Sequence, residues 1–173
     1  MRLYKWLAPL ALAGMPFTAA QAADPDPGIY YRLSTSFRGD ALPLDVFNGG
    51  PKNNLTHLAK AGNFSGQLWR FTPAGGGYWR LSTEFRGKDT CLDVHNGGPA
   101  NNQPHLTKCG NFSGQLWKLV PEGPWLRLKT QFRGEGLCLD IFNGGANNNQ
   151  PHLAKCGNFS GQLWKLTPTG RKV

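Results

Sequence analysis

The chain has 173 residues, with 19 Lys plus Arg against 10 Asp plus Glu, a formal charge of +9, 23 Gly and 13 Pro. This length excludes much more than one ordinary domain, and glycine and proline spread along the chain exclude long uninterrupted helices. The basic balance invites an acidic partner, and the distribution of the charges decides which kind.

The first segment, residues 1–22, reads as a leader. Arg2 and Lys5 give it a basic start, Trp6 to Ala13 form a short apolar run broken by Pro9, and Ala20-Gln21-Ala22 follows Pro16 as a small-x-small site. That is the anatomy of a secretory signal peptide cleaved near Ala22, and it predicts a secreted product, extracellular or periplasmic. A membrane anchor would need about 20 uninterrupted apolar residues. No later stretch is apolar enough to span a bilayer, so no membrane span is expected. Loss of Arg2 and Lys5 brings the formal charge to about +7. Residues 23–28 read as a short linker.

From Ile29 onward one unit is written three times. Phe37-Arg38-Gly39 returns as Phe85-Arg86-Gly87 and Phe132-Arg133-Gly134. Leu44-Asp45 returns as Leu92-Asp93 and Leu139-Asp140. Asn48-Gly49-Gly50 returns as Asn96-Gly97-Gly98 and Asn143-Gly144-Gly145. Gln67-Leu68-Trp69 closes the unit, returning as Gln115-Leu116-Trp117 and Gln162-Leu163-Trp164. The offsets are 48 and then 47 throughout, so the register never slips across these motifs. The repeats run over about 29–77, 78–124 and 125–168, leaving a tail at 169–173.

Tyr31-Arg32-Leu33, Trp79-Arg80-Leu81 and Leu126-Arg127-Leu128 alternate apolar and polar residues, the period of a half-buried strand. Asn-Gly-Gly, Arg-Gly and Ser-Gly clusters punctuate such runs. About four short strands per unit give about 12 in all, an all-β fold. A unit of roughly 47 residues buries too little core alone, so three units are expected to share one core, with the tryptophans pointing into it.

Four cysteines fit the same register. Cys91 and Cys109 stand where Cys138 and Cys156 stand one unit later, and the first unit has Pro43 and Ala61 instead. Joint absence of both members predicts pairing within units, Cys91 with Cys109 and Cys138 with Cys156. Each bridge would close about 18 residues and contribute on the order of 3 kcal/mol.

Cys138-Leu139-Asp140, Leu153-Ala154-Lys155-Cys156 and Gln162-Leu163-Trp164 together resemble the ricin B-type β-trefoil lectin family, whose Gln-x-Trp box recurs in register. The resemblance covers about Ile29 to Pro168. It implies a β-trefoil of three pseudo-symmetric repeats, a carbohydrate ligand and up to three shallow sites. It also implies that Asp45, Asp93 and Asp140 accept hydrogen bonds from sugar hydroxyls, as an ionised carboxylate does well. His57, His105 and His152 occupy the family's polar position, where a neutral imidazole can donate or accept. Gln67, Gln115 and Gln162 are expected to be architectural, with Trp69, Trp117 and Trp164.

Two positions depart from the family. Its sugar platform, an aromatic two residues before the second cysteine, is here Ala59, Thr107 and Ala154. Its Asn before the Gln-x-Trp box is Gly66, Gly114 and Gly161. A replacement platform is available in Phe47, His95 and Phe142, two residues after each Asp. Phe64, Phe112 and Phe159 form a second candidate set. Asn48, Asn96 and Asn143 offer amides beside each Asp.

Glycoside hydrolysis normally uses two carboxylates a few ångströms apart, but only one Asp recurs in all three units, so no catalysis is expected. No cofactor or metal motif is present. Arg32, Arg80 and Arg127 recur by unit, which spreads charge around the molecule instead of gathering a nucleic-acid stripe; no nucleic-acid partner is expected. The sequence therefore predicts a monomer that binds glycans. The alternative is a non-catalytic module recognising a protein partner, such as a toxin accessory subunit or an inhibitor.

Overall fold

The alternating triplets become barrel strands. In the computed structural model, which describes residues 24–173, the first unit holds β1 (Ile29–Thr35), β2 (Leu44–Val46), β3 (Thr56–Leu58) and β4 (Trp69–Gly75). The second holds β5 (Tyr78–Thr83), β6 (Thr90–Val94), β7 (Pro104–Lys108) and β8 (Trp117–Glu122). The third holds β9 (Trp125–Thr130), β10 (Leu137–Ile141), β11 (Pro151–Lys155) and β12 (Trp164–Lys172). The expected leader lies outside the described residues.

The first and last strands of each unit close a six-stranded antiparallel barrel in the order β1-β12-β9-β8-β5-β4, and the middle pairs form three hairpins. The hairpins join in a ring: Leu106 N–H donates to the Asn54 carbonyl, Leu153 to Asn102 and Leu58 to Asn149, at 2.8–2.9 Å. Asn54, Asn102 and Asn149 reach these positions at φ of 65–70°, a region asparagine tolerates better than most residues. The chain is thus a β-trefoil. Barrel closure leaves this six-stranded sheet without the two edges that an open sheet would expose.

The core sits where barrel and hairpins meet. Leu33, Leu81 and Leu128 from the barrel pack with Leu44, Leu92 and Leu139 from the hairpins, all essentially without solvent exposure. Trp69, Trp117 and Trp164 are fully buried there. Each indole N–H donates to a hairpin carbonyl, of Leu44, Leu92 and Leu139, at 2.8–2.9 Å. The bond satisfies a buried donor and ties the fourth strand of a unit to its own hairpin.

Both disulfides join the cysteines of one unit, with Cα separations of 4.9 Å for Cys91–Cys109 and 5.1 Å for Cys138–Cys156. The bridged hairpins pair over five residues and the unbridged β2–β3 over three. The end of the chain differs from the expected tail. β12 continues through Lys172, which pairs with Ile29, because the start of β1 needs a partner to close the barrel.

Candidate functional site

Strand alternation decides where Asp45 points. Leu44 and Val46 turn into the core, so the residue between them faces outward. Asp93 and Asp140 stand in the same way on β6 and β10. The Oδ1 of each accepts from the next backbone N–H, of Val46, Val94 and Ile141, at 2.7 Å. The Oδ2 of each accepts from the side-chain amide of Gln67, Gln115 or Gln162 at 2.9 Å.

These glutamines have no solvent exposure, and both hydrogens of each amide and its oxygen are hydrogen-bonded. The second Nε2 hydrogen donates to the carbonyl of Lys60, Lys108 or Lys155 at 2.9–3.0 Å. The Oε1 accepts from the N–H of Gly62, Gly110 or Gly157 at 2.9–3.0 Å. The glutamine therefore locks its carboxylate. A carboxylate oxygen has two lone pairs, and each here uses one on the protein. The other lone pair on each oxygen has no protein partner among the described residues.

The glycines before the Gln-x-Trp boxes explain the departure from the family's Asn. Gly66, Gly114 and Gly161 are buried, and a Cβ at any of them would overlap the Oδ1 of Asp45, Asp93 or Asp140. A larger residue would expel the carboxylate from its place.

The second aromatic set forms one wall. Phe64, Phe112 and Phe159 precede the short 3₁₀ turns Ser65–Gln67, Ser113–Gln115 and Ser160–Gln162 in extended conformation. They are 59%, 58% and 58% exposed, and Val173 is the other large apolar side chain exposed among the described residues. Each ring lies against a glycine, Gly62, Gly110 or Gly157, where a Cβ would overlap the ring edge. The glycine carbonyls are held in turn by guanidinium donors of Arg32, Arg80 and Arg127 at 2.7–3.2 Å. The ring edge is thus held against the chain while more than half of the side chain stays exposed.

Carboxylate, amides and rings meet in three hollows. Asp45, Asn48, Asn63, Phe64 and Ser65 line the first, of about 300 Å³. Asp93, Asn96, Asn111, Phe112 and Ser113 line the second, of about 350 Å³. Asp140, Asn143, Asn158, Phe159 and Ser160 line the third, of about 290 Å³. Another cavity of about 290 Å³ lies near Asp24, Pro25 and Pro124.

Each hollow also takes a residue that sequence reasoning missed. Phe85 from the second unit lines the first hollow, Phe132 from the third lines the second, and Phe37 from the first lines the third. The guanidinium of Arg86 packs on Phe85, Arg133 on Phe132 and Arg38 on Phe37, at 4.0–4.1 Å. These arginines donate to the Oδ1 of Asn53, Asn101 and Asn148 in the preceding unit, at 2.5–2.9 Å. The Phe-Arg-Gly repeat was visible in the sequence as a turn, but its contact crosses to another unit.

The histidines and the first aromatic set lie elsewhere. Phe47 stacks on His57, His95 on His105 and Phe142 on His152, with centroids 3.6–3.7 Å apart and planes within 14°. None of the six lines a hollow. Burial holds His57, His105 and His152 below the usual imidazole range, against the nearby Asp45, Asp93 and Asp140, which favour the charged form. In the second unit the His95 ring adds to the lowering of His105. Among the described residues no cluster of three or more His, Cys, Asp and Glu could hold a metal ion, and no helix is long and apolar enough to cross a membrane.

The model of the family described as ricin-type beta-trefoil lectin domain-like matches residues 21–108 and 65–154. No curated protein matches the sequence. Among solved structures, the designed threefold-symmetric protein ThreeFoil aligns with a TM-score of 0.67 at 23% identity, covering 80% of this chain and 97% of that one. A ricin B-like lectin from Macrolepiota procera, solved in complex with lactose, aligns at 0.65 and 17% identity, covering 84% and 99%. The exo-beta-1,3-galactanase 1,3Gal43A from Clostridium thermocellum aligns at 0.69 and 20% identity, covering 84% of this chain but 31% of the enzyme. At these identities the likeness shows a shared fold.

Proposed function

The chain belongs to the ricin-type β-trefoil lectin domain-like family, and from that premise we propose that it is an exported, non-catalytic carbohydrate-binding protein with one glycan site in each unit. The observation that carries this reading is the trio of carboxylates. Each is clamped by a buried glutamine, keeps one free lone pair on each oxygen, and stands in a hollow beside an exposed phenylalanine. A sugar is a ring of hydroxyls on an apolar C–H frame. Two adjacent hydroxyls donate to the carboxylate in short charge-assisted bonds, Asn48, Asn96 or Asn143 meets further hydroxyls, and the C–H face lies on the open phenylalanine ring.

Each hollow offers a single carboxylate, whereas glycoside hydrolysis pairs two at about 5–10 Å; binding without bond cleavage fits that arrangement. Shallow polar sites of this kind bind in the millimolar to high-micromolar range, about −4 to −6 kcal/mol each. Three linked sites then act together on a multivalent surface. The two disulfides support an oxidising compartment, with residues 1–22 as the cleaved leader.

The test is a glycan array probed with the oxidised protein and with an Asp45→Ala/Asp93→Ala/Asp140→Ala variant shown to be folded. The expected result is one glycan class bound by the wild type and lost in the variant. Binding of no glycan by either protein would overturn the reading in favour of protein recognition.

A further inference from the structure

Each hollow has two phenylalanine walls, and they come from different units. Phe64 and Phe85 line the hollow of Asp45, Phe112 and Phe132 that of Asp93, and Phe159 and Phe37 that of Asp140. Resting on the glycan reading above, we propose that each site holds a single pyranose between these two rings and thereby selects sugars of the gluco configuration, with all ring substituents equatorial, over sugars carrying an axial hydroxyl. The second wall is supplied by the next unit in cyclic order, so Phe37, at the start of the domain, completes the site at its end.

The shape of the ligand decides what two rings admit. In an all-equatorial pyranose the ring C–H bonds are axial, so both faces are apolar and both can lie on an aromatic ring. An axial hydroxyl, as at C4 of a galactoside, projects from one face. Against a phenylalanine it would lose its hydrogen bond to water and gain no partner. A site with one platform tolerates that hydroxyl on its open side, whereas a site with two walls does not. The carboxylate agrees with this choice, because its two free lone pairs suit a pair of adjacent equatorial hydroxyls at the rim of the ring. The volumes, about 290–350 Å³, are at the small end of the roughly 300–1,000 Å³ of ligand pockets, which suits one ring.

The second walls are built to hold their place. Phe37, Phe85 and Phe132 pack against the core, and each carries its own arginine on the ring at 4.0–4.1 Å. That arginine bonds the asparagine loop of the preceding unit. The hydrogen bond fixes one unit's wall to the loop that carries the other unit's Asn48, Asn96 or Asn143.

The experiment is an NMR titration of the oxidised full domain with methyl β-glucopyranoside and, separately, methyl β-galactopyranoside, following the side-chain amides of Gln67, Gln115 and Gln162. The glucoside is expected to bind at least about tenfold more tightly, the penalty of one unpartnered hydroxyl. Equal or tighter binding of the galactoside would overturn the configuration preference and leave the glycan reading standing; binding of neither would overturn both. Phe37→Leu keeps the apolar contact with the core and removes the aromatic face. With the Trp164 indole resonance unmoved as the sign of an intact fold, it is expected to weaken the Gln162 response and leave those of Gln67 and Gln115 unchanged. An unchanged Gln162 response would remove the second wall from the account.

Discussion

The side-chain amide of Gln115 donates to the Asp93 carboxylate at 2.9 Å while it is itself fully buried between the Lys108 carbonyl and the Gly110 N–H. One side chain therefore serves the fold and the site together. Gln115→Ala leaves a backbone donor and a backbone acceptor without their partner. It should lower unfolding stability by about 1–3 kcal/mol, read by urea denaturation, and release the Asp93 carboxylate so that glycan binding in the second unit is lost.

Gly114→Ala separates the two roles. The glycine lies outside the left-handed region, so its backbone accepts alanine, but the added Cβ overlaps Asp93 Oδ1. The variant is expected to fold and to bind glycan at two sites instead of three. Calorimetric stoichiometry checks this; three sites would show that the carboxylate tolerates displacement.

The first unit can be stapled. Ala61 N–H donates to the Ala41 carbonyl at 2.9 Å, as Cys109 N–H does to Asp89 and Cys156 N–H to Gly136 at 2.9–3.0 Å, so the backbone already follows the path of the bridged units. Pro43→Cys with Ala61→Cys should form a third disulfide and add on the order of 3 kcal/mol. Release of the proline's restriction on the unfolded chain offsets up to about 1 kcal/mol of that. Guanidinium unfolding with and without reductant gives the difference.

Acid should weaken the fold through the stacked histidines. His57, His105 and His152 are held below the usual imidazole range mainly by burial, so the folded state favours their neutral form and the unfolded state binds more protons. Their contribution is fully present above about pH 6.5, the unperturbed value, and is lost as pH falls through the lower folded values. The melting temperature is expected to drop from pH 7.5 to pH 5. Because His95 adds to the lowering of His105, His95→Phe, which copies the third unit, should reduce that drop.

The fold was legible because the three copies keep register: a tryptophan in each Gln-x-Trp box has one place to go when three units share a core. The same register and the family's motif single out Asp45, Asp93 and Asp140, which line the three hollows. Phe64, Phe112 and Phe159 and the asparagines Asn48, Asn96 and Asn143, which line the same hollows, stand out in the sequence as well, whereas the other features do not, for geometric reasons. Phe47 and His57 sit beside Asp45 along the strand and across it, and they satisfy each other by stacking. Phe85 lies in the next unit and reaches the hollow only after the barrel closes. Gly66 reads as a missing asparagine until the Asp45 oxygen beside it is seen. Residues 169–172 read as a tail because nothing in their own sequence announces their pairing with β1.

The most direct measurement of the central claim is an amide NMR titration of the wild-type protein with whichever glycan the array selects. The account predicts that the side-chain amide resonances of Gln67, Gln115 and Gln162 move with the ligand, since each shares its proton with the carboxylate that receives the sugar. If those resonances stay still while the rings of His57, His105 and His152 or the residues around Asp24 respond, the glycan binds elsewhere and the account is contradicted.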